Sequence, residues 1–242
     1  ALQIFAAREA VFKILAKESL SIHEKLIVIL DMGSKIQQCI NTDEYDNIKS
    51  VVNDYLKEGI AHTLDETRNL SDSGQFEDIS LQQGIRQILY PYEEMEVLNP
   101  EWEVILKDII DSLFEQMSDE EYNILNEEFG TYMVSRAYEY RQLLEYLVFR
   151  YFAKSIYDYD FLGKCQMLVT NFFVIRQMDI IRWLDNHREY SFKDRMDVVH
   201  IFSRQVEYSE DNIENLYEDF IFDDIFKTDS LIAILWIDSE NI

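Results

Sequence analysis

Glycine and proline are scarce, at six and two in 242 residues, where average usage would give roughly 17 and 12. Turn-rich β and β/α chains depend on that punctuation, so its absence argues for long helices. No two glycines lie closer than Gly74 and Gly84, ten residues apart. That spacing removes the glycine-rich loops with which doubly wound folds and P-loops approach phosphate or ribose. Cysteine is almost missing too. Cys39 and Cys165 lie too far apart for a disulfide framework or a metal-ligand pattern, and read as buried thiols of a reducing compartment. Positive charge is short as well: 22 Lys and Arg face 47 Asp and Glu, a net charge of −25. A surface so anionic excludes free nucleic acid as a partner and disfavours an anionic membrane. Long apolar runs are lacking. The longest, Met167–Ile175 (broken by Thr170 and Asn171) and Leu231–Ile237, fall short of the ~18–20 residues of a membrane helix. With no signal peptide at the start, a soluble cytoplasmic protein is expected, and Ala1 in place of Met reads as the opening of a fragment or processed chain.

What is present is amphipathic and well capped. Apolar residues make up 48% and charged residues 29%, the balance of a globular chain with a sizeable core. Ser21 with Glu24 and Ser118 with Glu121 have the capping-box spacing, and Ser191 with Asp194 is a weaker relative. Asn99 precedes Pro100 at a helix start, and Ser209 is placed to cap another. Gly59 and Gly130 read as helix stops. Between these marks the three- and four-residue spacing of apolar positions predicts about ten helices: 2–18, 21–41, 43–58, 79–90, 100–117, 119–129, 132–156, 160–186, 192–207 and 209–223. A short last helix near 229–237 is a further expectation. The fold class is all-α, an irregular multi-helix bundle. Residues 1–242 read as one α-helical domain, with the loop 59–78 as the place where a sub-layer boundary would fall.

Charge is uneven. Residues 130–206 carry 11 basic against 9 acidic side chains, whereas the remainder carries 11 against 38. Acidic helix faces by themselves explain solubility, and a recruiting surface is the competing reading. Most chemical motifs fail. Asp158 to Gly163 imitates the start of an EF-hand loop, but Leu162 and Val169 stand where oxygen ligands are required. Asp197 with His200, and Glu58 with His62, each share a helix face. One approximate carboxylate–histidine element does not make a di-iron site, so no metal is expected and no catalytic residue is assigned. The aromatic run Tyr146–Asp158 reads either as helix packing or as a pocket wall where Arg150 and Tyr157 meet an acidic group. Helix geometry places Arg150 and Tyr157 two turns apart on one face, with Asp158 and Asp160 at that helix's C-terminal end. Asp160 is expected to cap the next helix. Asp158 opposes the helix dipole and needs a cation, for which Arg204 is the candidate, with Glu207 bracing Arg204 from three residues on. The expected binding cluster is therefore Arg150, Tyr157, Asp158, Asp160, Arg204 and Glu207, either as a substrate site or as an ion-pair network fixing helix packing.

Phe149-Arg150-Tyr151-Phe152, Tyr157-Asp158-Tyr159-Asp160, Met178 to Leu184, Ser191 to Asp194, and Ser203 to Ser209 with Asn212 together resemble the C-terminal part of the flagellin lysine-N-methylase family. The stretches Ile4–Leu15 and Leu20–Leu30 are similar to the helical segment that follows the family's cysteine-rich region. In that family the third position of the Tyr-Asp-x-Asp element is usually small, where this chain has Tyr159, and the position before Ser209 is often histidine, where it has Tyr208. The resemblance implies methyl transfer from S-adenosylmethionine to lysine side chains of a protein such as flagellin, in a bacterial cytoplasm. It also implies an iron–sulfur centre in an N-terminal cysteine cluster absent from these residues. The chain is thus expected to be the helical C-terminal portion, supplying scaffold and substrate docking and binding no cofactor alone, with its oligomeric state left open. A non-catalytic acidic module for protein–protein interaction is the alternative.

Overall fold

The computed structural model describes residues 1–72 and 79–240, and among these no strand occurs. The chain runs through α1 (Leu2–Leu15), α2 (Ile22–Asn41), α3 (Ile48–Asp54), α4 (Ile60–Asp72), α5 (Leu81–Glu93), α6 (Pro100–Ile109) and α7 (Asp119–Met133). It continues through α8 (Ala137–Tyr151), α9 (Ser155–Asp158), α10 (Leu162–Asp185), α11 (Phe192–Phe202), α12 (Glu210–Phe222) and α13 (Thr228–Glu240). Short 3-10 and π turns join several of these segments end to end, which makes the all-α multi-helix fold that the periodicity predicts.

The helix starts follow the caps. Ser21 Oγ accepts from the Glu24 N–H at 3.2 Å while Glu24 accepts from the Ser21 N–H at 2.8 Å. Ser118 with Glu121 and Ser191 with Asp194 close the same reciprocal pair, and Asn99 and Ser209 each cap as read. The two glycine stops do not hold. A π turn, Tyr55–Gly59, carries the chain onward into α4. A Cβ at Gly59 would lie 3.0 Å from the Asp54 carbonyl oxygen, so the missing side chain admits the wide turn rather than ending the helix. The segment read as a loop from Gly59 is therefore helical over Ile60–Asp72; its remainder, 73–78, lies outside the described residues. Packing holds this helix in place: Thr63 donates to Asp31 at 2.9 Å, and the Trp236 indole donates to Thr67 at 3.2 Å. Gly130 lies inside α7, where a glycine costs about 1 kcal/mol relative to alanine, and buried Phe129 and Met133 on either side keep the helix going.

Two compact units emerge. The first comprises 1–72, 133–169 and 228–240; the second comprises 79–132 and 170–227. In the first, α2 is surrounded by α1, α3, α4, α8 and α13, and Leu26 to Leu30 are all fully buried. A Cβ at Gly33 would come within 2.6 Å of Cys165 Sγ, so α2 and the start of α10 touch backbone to side chain. His23 Nε2 and Asp238 Oδ2, both buried, meet at 2.6 Å and tie α2 to α13. In the second unit the core is the rest of α10. Its apolar positions Phe172 to Ile175, Met178 and Ile180 are buried, and its buried polar positions are matched by partners from neighbouring helices. The Tyr92 hydroxyl donates to Asn171 at 2.7 Å, the Tyr122 hydroxyl to Gln177 at 2.9 Å, and Arg176 Nη2 to Asn126 at 3.0 Å. Burial pushes the Tyr92 phenol well above its ordinary range.

Candidate functional site

Four of the six expected residues belong to the first unit and two to the second. Arg150 and Tyr157 do not share one continuous α-helix: α8 ends at Tyr151, and the 3-10 turn Phe152–Lys154 resets the phase before α9. Arg150 Nε donates to the Tyr151 hydroxyl at 3.1 Å, while Tyr157 stands in solvent, 83% exposed. Asp160 does what its position predicts, accepting from the Gly163 N–H at 2.8 Å at the start of α10. Asp158 accepts from the Asp160 N–H at 3.1 Å. Its cation is Lys164, whose buried ammonium lies 2.8 Å from Asp158 and 3.3 Å from Asp160. Gln37 completes the turn, accepting from Phe161 N–H at 2.8 Å and donating to the Tyr159 carbonyl at 2.9 Å. Tyr159 itself sits in the left-handed region at φ 58°, where a side chain is strained.

In the second unit Arg204 and Glu207 ride on a π turn, Ser203–Glu207, that continues α11. The turn divides its side chains: Gln205, Val206 and Glu207 are buried, and Arg204 is exposed. Gln205 fixes the division. Its Oε1 accepts from the Leu98 N–H at 2.9 Å and its Nε2 donates to the Glu96 carbonyl at 2.7 Å. Asn212 adds a second staple to Glu96, accepting from its N–H at 3.0 Å and donating to its carbonyl at 3.1 Å. These bonds hold the segment that leads into Pro100, and so set α6 beside the turn that carries Arg204.

Between α6, the end of α10 and α11 lies a recess of about 670 Å³. Ile105, Ile181 and Ile201, all buried, form its apolar floor. From α6 it receives Glu101 and Asp108. Arg182 and Asp185 enter from α10, and Asp197, His200 and Arg204 from α11 and its π turn. Asp197 and His200 thus do face the same space, as their spacing predicts. His62, in contrast, pairs with Glu66 at 3.0 Å rather than with Glu58. Beneath the recess α10 is anchored by Asp179, which is wholly buried, accepts from the Tyr190 hydroxyl and pairs with Arg195 at 2.5 Å. Asp179, Gln205 and Asn212 escaped the sequence reading as positioning residues. For Asp179 the available signal was a lone acid in an apolar stretch, between Met178 and Ile180-Ile181; Gln205, among Ser203, Arg204 and Glu207, carried no such signal.

The two thiols do not suit an iron–sulfur centre. A cluster takes four thiolates, or two with two histidines, gathered at one place; Cys39 and Cys165 are both buried, desolvation pushes the Cys165 thiol well up, and among the described residues no such group gathers. The recess offers S-adenosylmethionine little: no Phe, Tyr or Trp lines it to stack an adenine, His200 being the one ring among its lining residues, and no glycine opens its backbone. Among the described residues no group of three or more His, Cys, Asp or Glu is placed to hold a metal ion, and no helix is long and apolar enough to cross a membrane. Compared with known families, residues 8–234 match the FliB lysine N-methylase C-terminal domain. No curated protein and no solved structure matches the chain.

Proposed function

Since the chain belongs to the FliB lysine N-methylase C-terminal domain family, we propose that it serves a protein lysine N-methyltransferase by docking the substrate lysine in the α6–α10–α11 recess. The observation that carries this reading is the pairing of an isoleucine floor with Glu101 and Asp108 on one wall. A lysine lays its aliphatic stem on apolar surface and keeps its ammonium among carboxylates. The net charge of −25 steers such a segment toward the protein over a Debye length of ~8–10 Å. Carboxylates stabilise the ammonium, whereas methyl transfer requires the neutral amine, so the recess holds and orients the lysine and is not where it reacts. S-adenosylmethionine, when bound, supplies the methyl group; the recess offers it no Phe, Tyr or Trp and no glycine, and on this reading both it and an iron–sulfur centre lie outside the recess. Flagellin is the substrate that the family resemblance favours, and the cytoplasm is the place where it would be met.

One observation favours the rival reading of an interaction module, namely Ile221 and Phe222 at the end of α12, 75% and 79% exposed. Titration with a fluorescent lysine-bearing peptide separates the two. Docking in the recess predicts that replacing the lysine by norleucine, which keeps the stem and removes the charge, abolishes binding. Unchanged binding of the norleucine peptide defeats the lysine reading and leaves the module.

A further inference from the structure

The bases of the recess all lie away from α6. That helix contributes Glu101 and Asp108 and no base, whereas α10 contributes Arg182 with Asp185, and α11 with its π turn contributes Asp197, His200 and Arg204. Asp197, on that same side, is engaged by Lys193 at 3.2 Å. Among the described residues neither Arg182 nor Arg204 makes a side-chain hydrogen bond or a close ion pair, although the charge of Arg182 acts at longer range on Asp194 at the cap of α11. Other arginines of this unit are taken up: Arg195 by Asp179, Arg176 by Asn126 and Arg188 by Glu128. A recess that read only an ammonium would be weakened by two unpaired guanidiniums in its lining, because like charges disfavour the bound form.

We propose that Arg182 and Arg204 read a carboxylate on the substrate, so that the recess recognises a lysine accompanied by an aspartate or glutamate on the same face of the docked segment. The proposal rests on the recess being the lysine dock. A guanidinium presents a planar fork matched to a carboxylate, and a space of about 670 Å³ accommodates two side chains of this size. On a helical segment, lysine and glutamate one turn apart project side by side at ~5–6 Å between their Cβ atoms. The ammonium then faces the α6 acids and the carboxylate faces the arginines. Arg182 and Arg204 are on this account specificity residues, in contact with the substrate's carboxylate and not with its lysine amine.

The test uses the 242-residue chain and a short fluorescent helical peptide bearing one lysine and one glutamate a turn away, read by anisotropy. Changing the peptide glutamate to glutamine is expected to weaken binding about fivefold or more, roughly 1 kcal/mol. The same change is expected to have no effect on a chain carrying Arg182→Gln and Arg204→Gln, with circular dichroism confirming that the variant is folded. A chain with Arg204→Glu is expected to reverse the preference, favouring a peptide with lysine at both positions. Equal binding of the glutamate and glutamine peptides, with binding still lost when lysine becomes norleucine, overturns carboxylate reading and leaves the lysine dock standing. Binding indifferent to both substitutions, or absent for every peptide, overturns both.

Discussion

The turn at 157–164 in the first unit and the recess in the second are made of the same materials: acids, a base or two, and neighbouring backbone. They use them differently. In the turn every charge is answered from within, Lys164 by Asp158 and Asp160, and the exposed N–H groups by Gln37 and the two carboxylates. In the recess Arg182, Arg204, Glu101 and Asp108 line the space with no close ion pair among the described residues, Arg182 acting only at longer range on Asp194. A closed network raises stability and offers a ligand nothing. An open one does the reverse, since unpaired side chains on an apolar floor add little to folding and leave their interactions for whatever docks.

The sharpest way to break that comparison is to remove one cation from each region. Lys164→Ala strips a buried stem and leaves two carboxylates side by side, so a loss of about 3 kcal/mol is expected. Arg204→Ala is expected to change stability by less than about 0.5 kcal/mol. Urea unfolding of both variants reads the difference as a shift of midpoint at constant slope. Equal losses would mean that Arg204 is as much a packing residue as Lys164, and the division would fail.

Next in size is the effect of Glu101→Gln combined with Asp108→Asn. Removing the α6 charges is expected to weaken binding of a lysine peptide about tenfold, roughly 1.4 kcal/mol, while stability moves by no more than about 0.5 kcal/mol. Anisotropy and denaturant midpoints measured on the same preparation check both halves. Stability falling in step with affinity would place these acids with the closed networks.

The contrast also explains what the sequence could and could not disclose. Caps such as Ser21 with Glu24 and Asn99 before Pro100 are local, within three residues, and were legible; so was Asp160 as a cap. Stops at Gly59 and Gly130 were misread because a π turn and buried neighbours overrode the local signal. Arg204 was legible as a site residue, yet its partners were not. The pairing of Asp179 with Arg195 spans 16 residues and that of Gln205 with Leu98 spans 107, and no periodicity encodes such distances. Lys164 was missed for a simpler reason. A lysine four residues after an acid reads as a solvated surface pair, whereas here it is 1% exposed.

Tyr159→Gly sharpens the closed side of the comparison. At φ 58° a tyrosine carries about 1–2 kcal/mol of conformational strain, partly offset by the greater chain entropy of glycine when unfolded. A net gain of about 0.5–1 kcal/mol is expected, read as a raised unfolding midpoint. The reverse experiment, Gly163→Ala, places a Cβ 2.0 Å from an Asp160 carboxylate oxygen and is expected to displace the cap. A glycine at 159 that destabilises the chain would show that the tyrosine ring contributes more than its backbone costs.

The smallest effect lies at the cap of α11. Asp194 is partly buried, which works against its charged form, but hydrogen bonds from the Ser191 hydroxyl and N–H and from Asn186, with the nearby Arg182 charge, prevail and hold its carboxyl below the ordinary value. A carboxyl lowered in the folded state stabilises fully above its unfolded value, near 3.9, and loses that contribution as pH falls through the folded value. Asp194→Asn keeps an acceptor and removes the charge. The wild-type chain is therefore expected to exceed the variant by about 0.5 kcal/mol at neutral pH, a figure already discounted for solvent screening at this surface cap. The gap is expected to close as pH drops below about 4. Parallel denaturant titrations at pH 7 and in steps below pH 4.5 measure it. A gap that stays constant with pH would mean that hydrogen-bond geometry, and not charge, carries the cap; Arg182 would then owe nothing to Asp194, and its guanidinium would be still more fully available to the recess.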